Sequence, residues 1–209
     1  ILELKDLSHS YDGSEISLRN ISLTVIKAEK VSILGPSGSG KSTLLRLIAG
    51  LEKPYSGTIT IQGKIVSDQD HMVSPEKRNV GLVVQNKALF PHLTVEKNIG
   101  FGIRKNQEKI KIISDLLSLF KIKHLSNKYP HEISGGEQQR TAIARSMAPS
   151  PELLMLDEPF SALDRELKEE LYAELNHIFN ERQQTIMLVT HDLDEAKVLS
   201  DKQINLENT

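Results

Sequence analysis

The chain has 209 residues, with 26 Lys+Arg against 28 Asp+Glu and a formal net charge of -2. That length suits one domain, or a domain with a subdomain, and can bury a sizeable core, while the balanced charge predicts no bulk attraction to nucleic acid or anionic lipid. The lack of cysteine excludes disulfides and thiolate-held metals and fits a reducing compartment, and no apolar run approaches the roughly 18 residues of a membrane span.

No secretory leader is visible, and the start at Ile1 implies that an initiator Met is lost or lies outside the sequence. In ILELKDL, Leu2 and Leu4 alternate with Glu3 and Lys5, as in a half-buried strand. The segments ISLTVI (21–26), KVSIL (30–34) and GTITI (57–61) are β-branched runs bounded by turn residues, and Gln62–Gly63 marks a hairpin turn. A polar stretch, KIVSDQDHMVSPEKRN, leads to the buried-type strand VGLVV (80–84). From about 94 to 148 the pattern is helical, clearest in IKIISDLLSLF (110–120) and in the run after ISGGE. ELLML (152–156) and TIMLV (185–189) are near-continuous apolar runs, the mark of parallel strands covered on both faces. Between them Leu167, Leu171, Leu175 and Ile178 line one face of a helix. The expected architecture is an α/β core with an N-terminal antiparallel β subdomain and a helical insert.

GPSGSGKST, residues 35–43, lies between KVSIL and the helical run TLLRLIAG. Gly, four residues, then Gly-Lys-Ser is the P-loop pattern, in the strand–loop–helix context that supports it. Gly35, Gly38 and Gly40 allow the backbone N–H groups to turn inward, and Pro36, Ser37 and Ser39 complete the loop. The following helix start adds partial positive charge, Lys41 can reach the β- and γ-phosphates, Ser42 can ligate Mg2+, and Thr43 can add a contact. LLMLDEP ends its strand with Asp157, suited to the magnesium shell, and Glu158, suited to polarising an attacking water. His191, at the end of the next strand, is placed to touch the γ-phosphate or that water.

With these motifs in order, the sequence resembles the ATP-binding cassette ATPases over nearly its whole length. The family's remaining motifs stand here as Tyr11, an aromatic for stacking on adenine; Gln85 after VGLVV, for the magnesium shell; ISGGEQQR from Ile133; and SALD, ending at Asp164. The resemblance implies a P-loop NTPase core (1–85 and 149–209) and a helical signature subdomain (86–148). It implies ATP and Mg2+ as ligands, and a head-to-tail homodimer in which Ser134, Gly135, Gly136 and Glu137 of one copy read the ATP held by the P-loop of the other. The helix opening at Ser134 has the N–H groups such a contact needs. The family's signature commonly ends in Gln; Glu137 brings a negative charge expected to weaken the ATP-bound dimer, though an acid is favourable in the first turn of its own helix.

The segment 74–103, with FPHLTVEKN soon after Gln85, resembles bacterial importer ATPases for ferric iron, sulfate, molybdate, polyamines, thiamine and sugars. This implies docking to integral membrane permease subunits through Phe90, His92, Leu93 and Thr94. It also implies a solute-binding protein acting indirectly, a cytoplasmic location on the inner face of the membrane, and no nucleic-acid partner. An exporter or cell-division cassette is the alternative. A soluble DNA-maintenance cassette would part its P-loop from its signature by a long coiled coil, whereas Lys41 and Ser134 are separated by 134 − 41 = 93 residues with no heptad array. A catalytically dead regulatory cassette would lack Glu158. The end at Thr209, soon after the strand-like QINLEN, implies a short domain or a removed extension.

Overall fold

The computed structural model describes residues 1–11, 16–103, 108–161 and 163–206. In chain order, β1 (Leu2–Ser10) and β2 (Ile16–Val25) are followed by β3 (Lys30–Leu34) and helix α1 (Lys41–Ala49). Next come β4 (Ser56–Ile61), β5 (Lys64–Ser67) and β6 (Val80–Val83), then α2 (Val95–Ile99), α3 (Lys109–Leu119) and α4 (Gly135–Met147). The chain continues through β7 (Leu153–Asp157), α5 (Arg165–Glu181), β8 (Thr185–Val189), α6 (Leu193–Leu199) and β9 (Lys202–Asn205). An antiparallel sheet has the order β2-β1-β4-β5, and a parallel sheet the order β6-β7-β8-β3-β9.

The parallel strands show why their sequences lack alternation. Leu153 and Met155 join an apolar cluster with Leu2, Leu4, Leu44 and Ile48, while Leu154 and Leu156 join another with Ile143, Phe160, Leu171 and Leu175. Both faces of β7 are therefore covered, by the antiparallel sheet and α1 on one side and by the helices on the other. On β1 the alternation holds for Leu2 and Leu4 and then slips: Asp6 has φ 47 and the pairing with β4 shifts between Lys5 and Ser8, which places Leu7 in the core. Gly57 permits this bulge, since a Cβ there would lie 2.4 Å from the Asp6 carbonyl oxygen.

Three expectations change. β2 begins at Ile16 rather than 21. The polar stretch contains a strand, β5, because Gln62 and Gly63 both have positive φ (51 and 72) and fold the chain back so that Lys64 pairs with Ile61. The short helix α6 was not foreseen. Its seven residues carry too few apolar positions to show a period, and it is set by Asp192, whose carboxylate caps the N–H groups of Asp194 and Glu195. QINLEN forms β9 as far as Asn205, and its residues 207–208, like Ala162 of SALD, lie outside the described residues.

Arg78 fastens α1 from behind. It is 2% exposed, and its guanidinium donates to the carbonyls of Leu47 and Ile48 at the end of α1, to those of Val66 and Val73, and to the Ser67 hydroxyl. A cation at the negative end of a helix is favourable. Gly50, at the left-handed end of α1 (φ 79), leaves it room: a Cβ there would lie 2.4 Å from Arg78 Nε.

Candidate active site

Five segments converge at the carboxyl ends of β3, β7 and β8. Gly35 must be glycine, because the main chain of Leu206 approaches closely; a Cβ would lie 2.5 Å from its carbonyl oxygen. Gly38 and Gly40 have φ 85 and 86, and Gly40 is the residue before α1. The Lys41 ammonium, buried, donates to the carbonyls of Gly35 at 2.8 Å and Pro36 at 2.7 Å, so the lysine bends back over the loop that bears it. Tyr11 stands exposed at the rim, its hydroxyl 2.8 Å from Thr43 Oγ1 and its ring edge-on to His9. Together with Ser37, Gly38, Lys41, Ser42 and Glu158 it lines a cleft of about 320 Å³.

The Ser42 hydroxyl donates to Asp157 Oδ1 at 2.9 Å. Burial pushes the Asp157 carboxyl above its ordinary value, with the neighbouring Glu158 charge adding to the rise and the Ser42 bond opposing it. A divalent cation would relieve that cost. Ser42, Gln85 and Asp157 all stand on the wall of one cleft, an all-oxygen donor set of the kind a hard Mg2+ takes, so the residues fit the metal.

Glu158 is held on both sides. Gln85 Nε2 donates to its Oε2 at 3.2 Å, and His191 Nδ1 lies 3.3 Å from its Oε1. The backbone at Glu158 is left-handed (φ 43), and its N–H donates to the carbonyl of Val189 at the end of β8. A carboxylate so aimed is suited to taking a proton from a water in the cleft. The sequence pointed to Glu158, Gln85 and His191 separately; the structure gathers them around one carboxylate.

Two supports of this cluster were missed. Ser161 Oγ lies 3.5 Å from Gln85 Nε2. Glu195, 2% exposed, accepts from the Thr190 hydroxyl at 2.9 Å, and that same hydroxyl accepts from the Asp192 N–H, so the turn bearing His191 is tied from both sides. Burial, with help from Asp192 and Glu158, pushes the Glu195 carboxyl up to about 8. The sequence held no signal for it, since α6 is too short for its apolar positions to define a buried face.

The signature stands apart. Ser134 N-caps α4, and Glu137 completes a capping box: Ser134 N–H donates to Glu137 Oε2 at 2.7 Å, and Ser134 Oγ accepts from the Glu137 N–H at 3.4 Å. The Glu137 carboxylate is thus turned onto its own helix, with His124 Nε2 4.0 Å from its other oxygen. Gly136 packs on α5, where a Cβ would lie 2.8 Å from Leu167. Asp164 caps α5 through the Leu167 N–H at 3.0 Å. Neither Asp164 nor any of Ser134–Glu137 lines the P-loop cleft. The P-loop cleft and the amino-terminal end of α4 are therefore separate surfaces of one chain.

The family model described as ABC transporter matches residues 18–161. The chain is 41% identical over 206 residues to a spermidine/putrescine import ATP-binding protein PotA of Oleidesulfovibrio alaskensis, covering 97% of this chain and 54% of that protein. It is 45% identical over 203 residues to a sulfate/thiosulfate import ATP-binding protein CysA of Synechocystis, covering 94% and 55%, and 44% identical over 204 residues to an Fe(3+) ions import ATP-binding protein FbpC 2 of Pectobacterium atrosepticum, covering 97% and 59%. The chain thus spans rather more than half the length of these relatives. Among solved structures, the dimeric bacterial ABC transporter cassette MJ0796 superposes with a TM-score of 0.85 at 33% identity, covering 100% of this chain and 95% of that one. A second structure of that cassette, a dimer in a post-hydrolysis state bound to ADP and Pi, matches equally well.

Proposed function

We propose that this chain, which belongs to the ABC transporter family, is the ATP-hydrolysing subunit of a bacterial solute importer, working as a head-to-tail homodimer that closes on two ATP molecules. The observation that carries this reading is the separation of the two anion-reading surfaces. A P-loop cleft without a signature, and a signature without a cleft, complete one another only across two copies. The neighbour solved as a dimer, and again with ADP and Pi, supports the arrangement.

In this reading the catalytic core is 1–85 with 149–209, and the insert 86–148 presents the signature. The triphosphate replaces the carbonyls of Gly35 and Pro36 as the partner of Lys41. Ser42, Asp157 and Gln85 would hold Mg2+, which neutralises phosphate charge when bound. Glu158 takes the proton of the attacking water, with Gln85 and His191 fixing its direction. Tyr11 stacks on the base at the rim, and Thr43, Ser37 and Ser39 belong to the phosphate cradle. Ser134, Gly135 and Gly136 bind the γ-phosphate held by the other copy, and Asp164 lies in the segment facing it. The Glu137 charge sits in its capping box and weighs less against closure than the sequence suggested.

The three relatives are named for a polyamine, an oxyanion and ferric iron at 41–45% identity. What they share with this chain is the engine rather than solute recognition, so the solute is set by a permease and a binding protein outside it. Among the described residues no helix is long and apolar enough to cross a membrane, and placement on the inner face of the membrane would come from docking. We take the docking surface to include Phe101 beside the 90–94 segment: Phe90 is partly buried, with its ring 4.3 Å from that of Phe101, whereas Phe101 is 62% exposed and His92 is also exposed. Replacing Phe101 and His92 by Ser should lower co-purification with the integral subunits about tenfold while leaving ATP binding unchanged. Undiminished co-purification would move the docking surface elsewhere.

ATP-driven dimerisation tests the reading itself. Light scattering on the Glu158→Gln variant should show a monomer without nucleotide and a dimer with ATP, because uncleaved γ-phosphates keep both bridges. A monomer under both conditions at high protein concentration would count against the sandwich.

A further inference from the structure

Between Gln85 and the docking surface the main chain passes through two consecutive non-glycine residues in the left-handed region, Lys87 (φ 57) and Ala88 (φ 45). Each is costly, and such strain persists only where surroundings enforce it. The enforcing group comes from the signature helix. Arg145 donates from Nη1 to the Ala88 carbonyl at 2.7 Å and from Nη2 to the Lys87 carbonyl at 3.2 Å, taking the acceptors of those same two residues. Its guanidinium carbon also lies 5.2 Å from the centroid of Phe90.

Beyond the joint the loop is rigid in its own right. Asn98 of α2 is fully buried; its amide donates to the carbonyls of Phe90, Leu93 and Thr94, and its Oδ1 accepts from the Phe90 N–H. Among the described residues, the hydrogen bonds holding 87–88 toward β6 are those of the turn itself, from the Lys87 N–H to the Val84 carbonyl just past the strand and from the Ala88 N–H to the Asn86 carbonyl.

We propose that Arg145 is the positioning residue of a strained joint at Lys87–Ala88, and that it locks the docking loop 88–94 to α4 so that loop and signature move as one piece. Arg145 and Ser134 lie at opposite ends of that helix, eleven residues or about 16 Å apart. A displacement of the docking loop thereby reaches the γ-phosphate contact without passing through the parallel sheet. The part of this that concerns Ser134 rests on the function proposed above; the joint does not.

The absence of native cysteine permits clean labelling. Spin labels at His92→Cys, on the loop, and Ser118→Cys, on α3 within the same apolar cluster as α4, should give one narrow distance distribution in the full chain. Arg145→Ala should add a second population or broaden the distribution about twofold. Arg145→Lys should not restore it, because a lone ammonium lacks the planar guanidinium fork that meets both carbonyls while resting against the Phe90 ring. Adding Ala88→Gly to Arg145→Ala should recover at least about half of the original population, since glycine adopts positive φ at no steric cost. An unchanged distribution in Arg145→Ala, or an equal effect of its loss whether residue 88 is Ala or Gly, would overturn the joint. In the Glu158→Gln background, Arg145→Ala should raise the ATP concentration for half-dimerisation about tenfold with ATP affinity of the monomer unchanged; no rise would overturn the link to Ser134. Failure of the Arg145-containing parent to dimerise at all would instead strike the proposed function, with the label distances still deciding the joint.

Discussion

Glu158→Gln should bind ATP as the parent does and hydrolyse it about 10²–10⁴ times more slowly, whereas Lys41→Ala should lose about 10- to 100-fold in ATP affinity. The two residues stand in the same cleft but do different work. Lys41 is a buried ammonium whose present partners are two carbonyls of its own loop, so phosphate oxygens are better acceptors and its loss is a binding loss. Glu158 makes no bond to the loop; its oxygens face Gln85 and His191. Gln at 158 keeps the shape but is a poor base, so binding survives and turnover does not. Equilibrium binding of a fluorescent ATP analogue, beside steady-state phosphate release, separates the two. Equal loss of binding in both variants would refute the division of roles.

Arg78→Ala should be the most destabilising single change outside the site, costing about 3–5 kcal/mol and lowering the melting temperature by on the order of 10 °C. The substitution removes, from a position 2% exposed, the donor to four carbonyls and a hydroxyl; the Leu47 and Val66 carbonyls keep the Gly50 and Val73 N–H groups, so the cost falls mainly on Ile48, Val73 and Ser67. Two of those carbonyls close α1, the helix that carries Lys41 and Ser42, so ATP affinity should fall alongside stability. Thermal melts followed by circular dichroism measure the first effect. A loss under about 1 kcal/mol would mean that water replaces the guanidinium.

The contrast between these residues shows what the sequence makes visible. Lys41, Ser42 and Glu158 announce themselves because glycine spacing and a strand-terminal Asp-Glu pair are local patterns tied to one chemistry. The runs of β3, β7 and β8 were legible for a similar reason: burial on both faces leaves near-continuous apolar stretches, interrupted in β3 by Ser32. Arg78, Asn98, Arg145 and Glu195 gave no such signal. Each acts through acceptors or donors distant in sequence or hidden by the fold, and in one dimension a buried polar residue looks like any surface one. The strained joint at Lys87–Ala88 was equally hidden, since neither residue type favours positive φ. The half-burial of Phe90 was hidden as well, since the Phe101 ring and the Arg145 guanidinium that cover it are brought there by the fold.

The claim that two copies make each site is tested most directly by mixing two inactive chains. Lys41→Ala disables the P-loop and leaves the signature whole; Ser134→Arg disables the signature and leaves the P-loop whole. In a head-to-tail dimer of one of each, one site carries both lesions and the other carries none. Magnesium-dependent ATP hydrolysis should therefore be negligible for either chain alone and return on mixing, up to about half the parent rate per mixed dimer. Hydrolysis that stays at background across all mixing ratios, or Ser134→Arg that is fully active alone, would contradict the shared site.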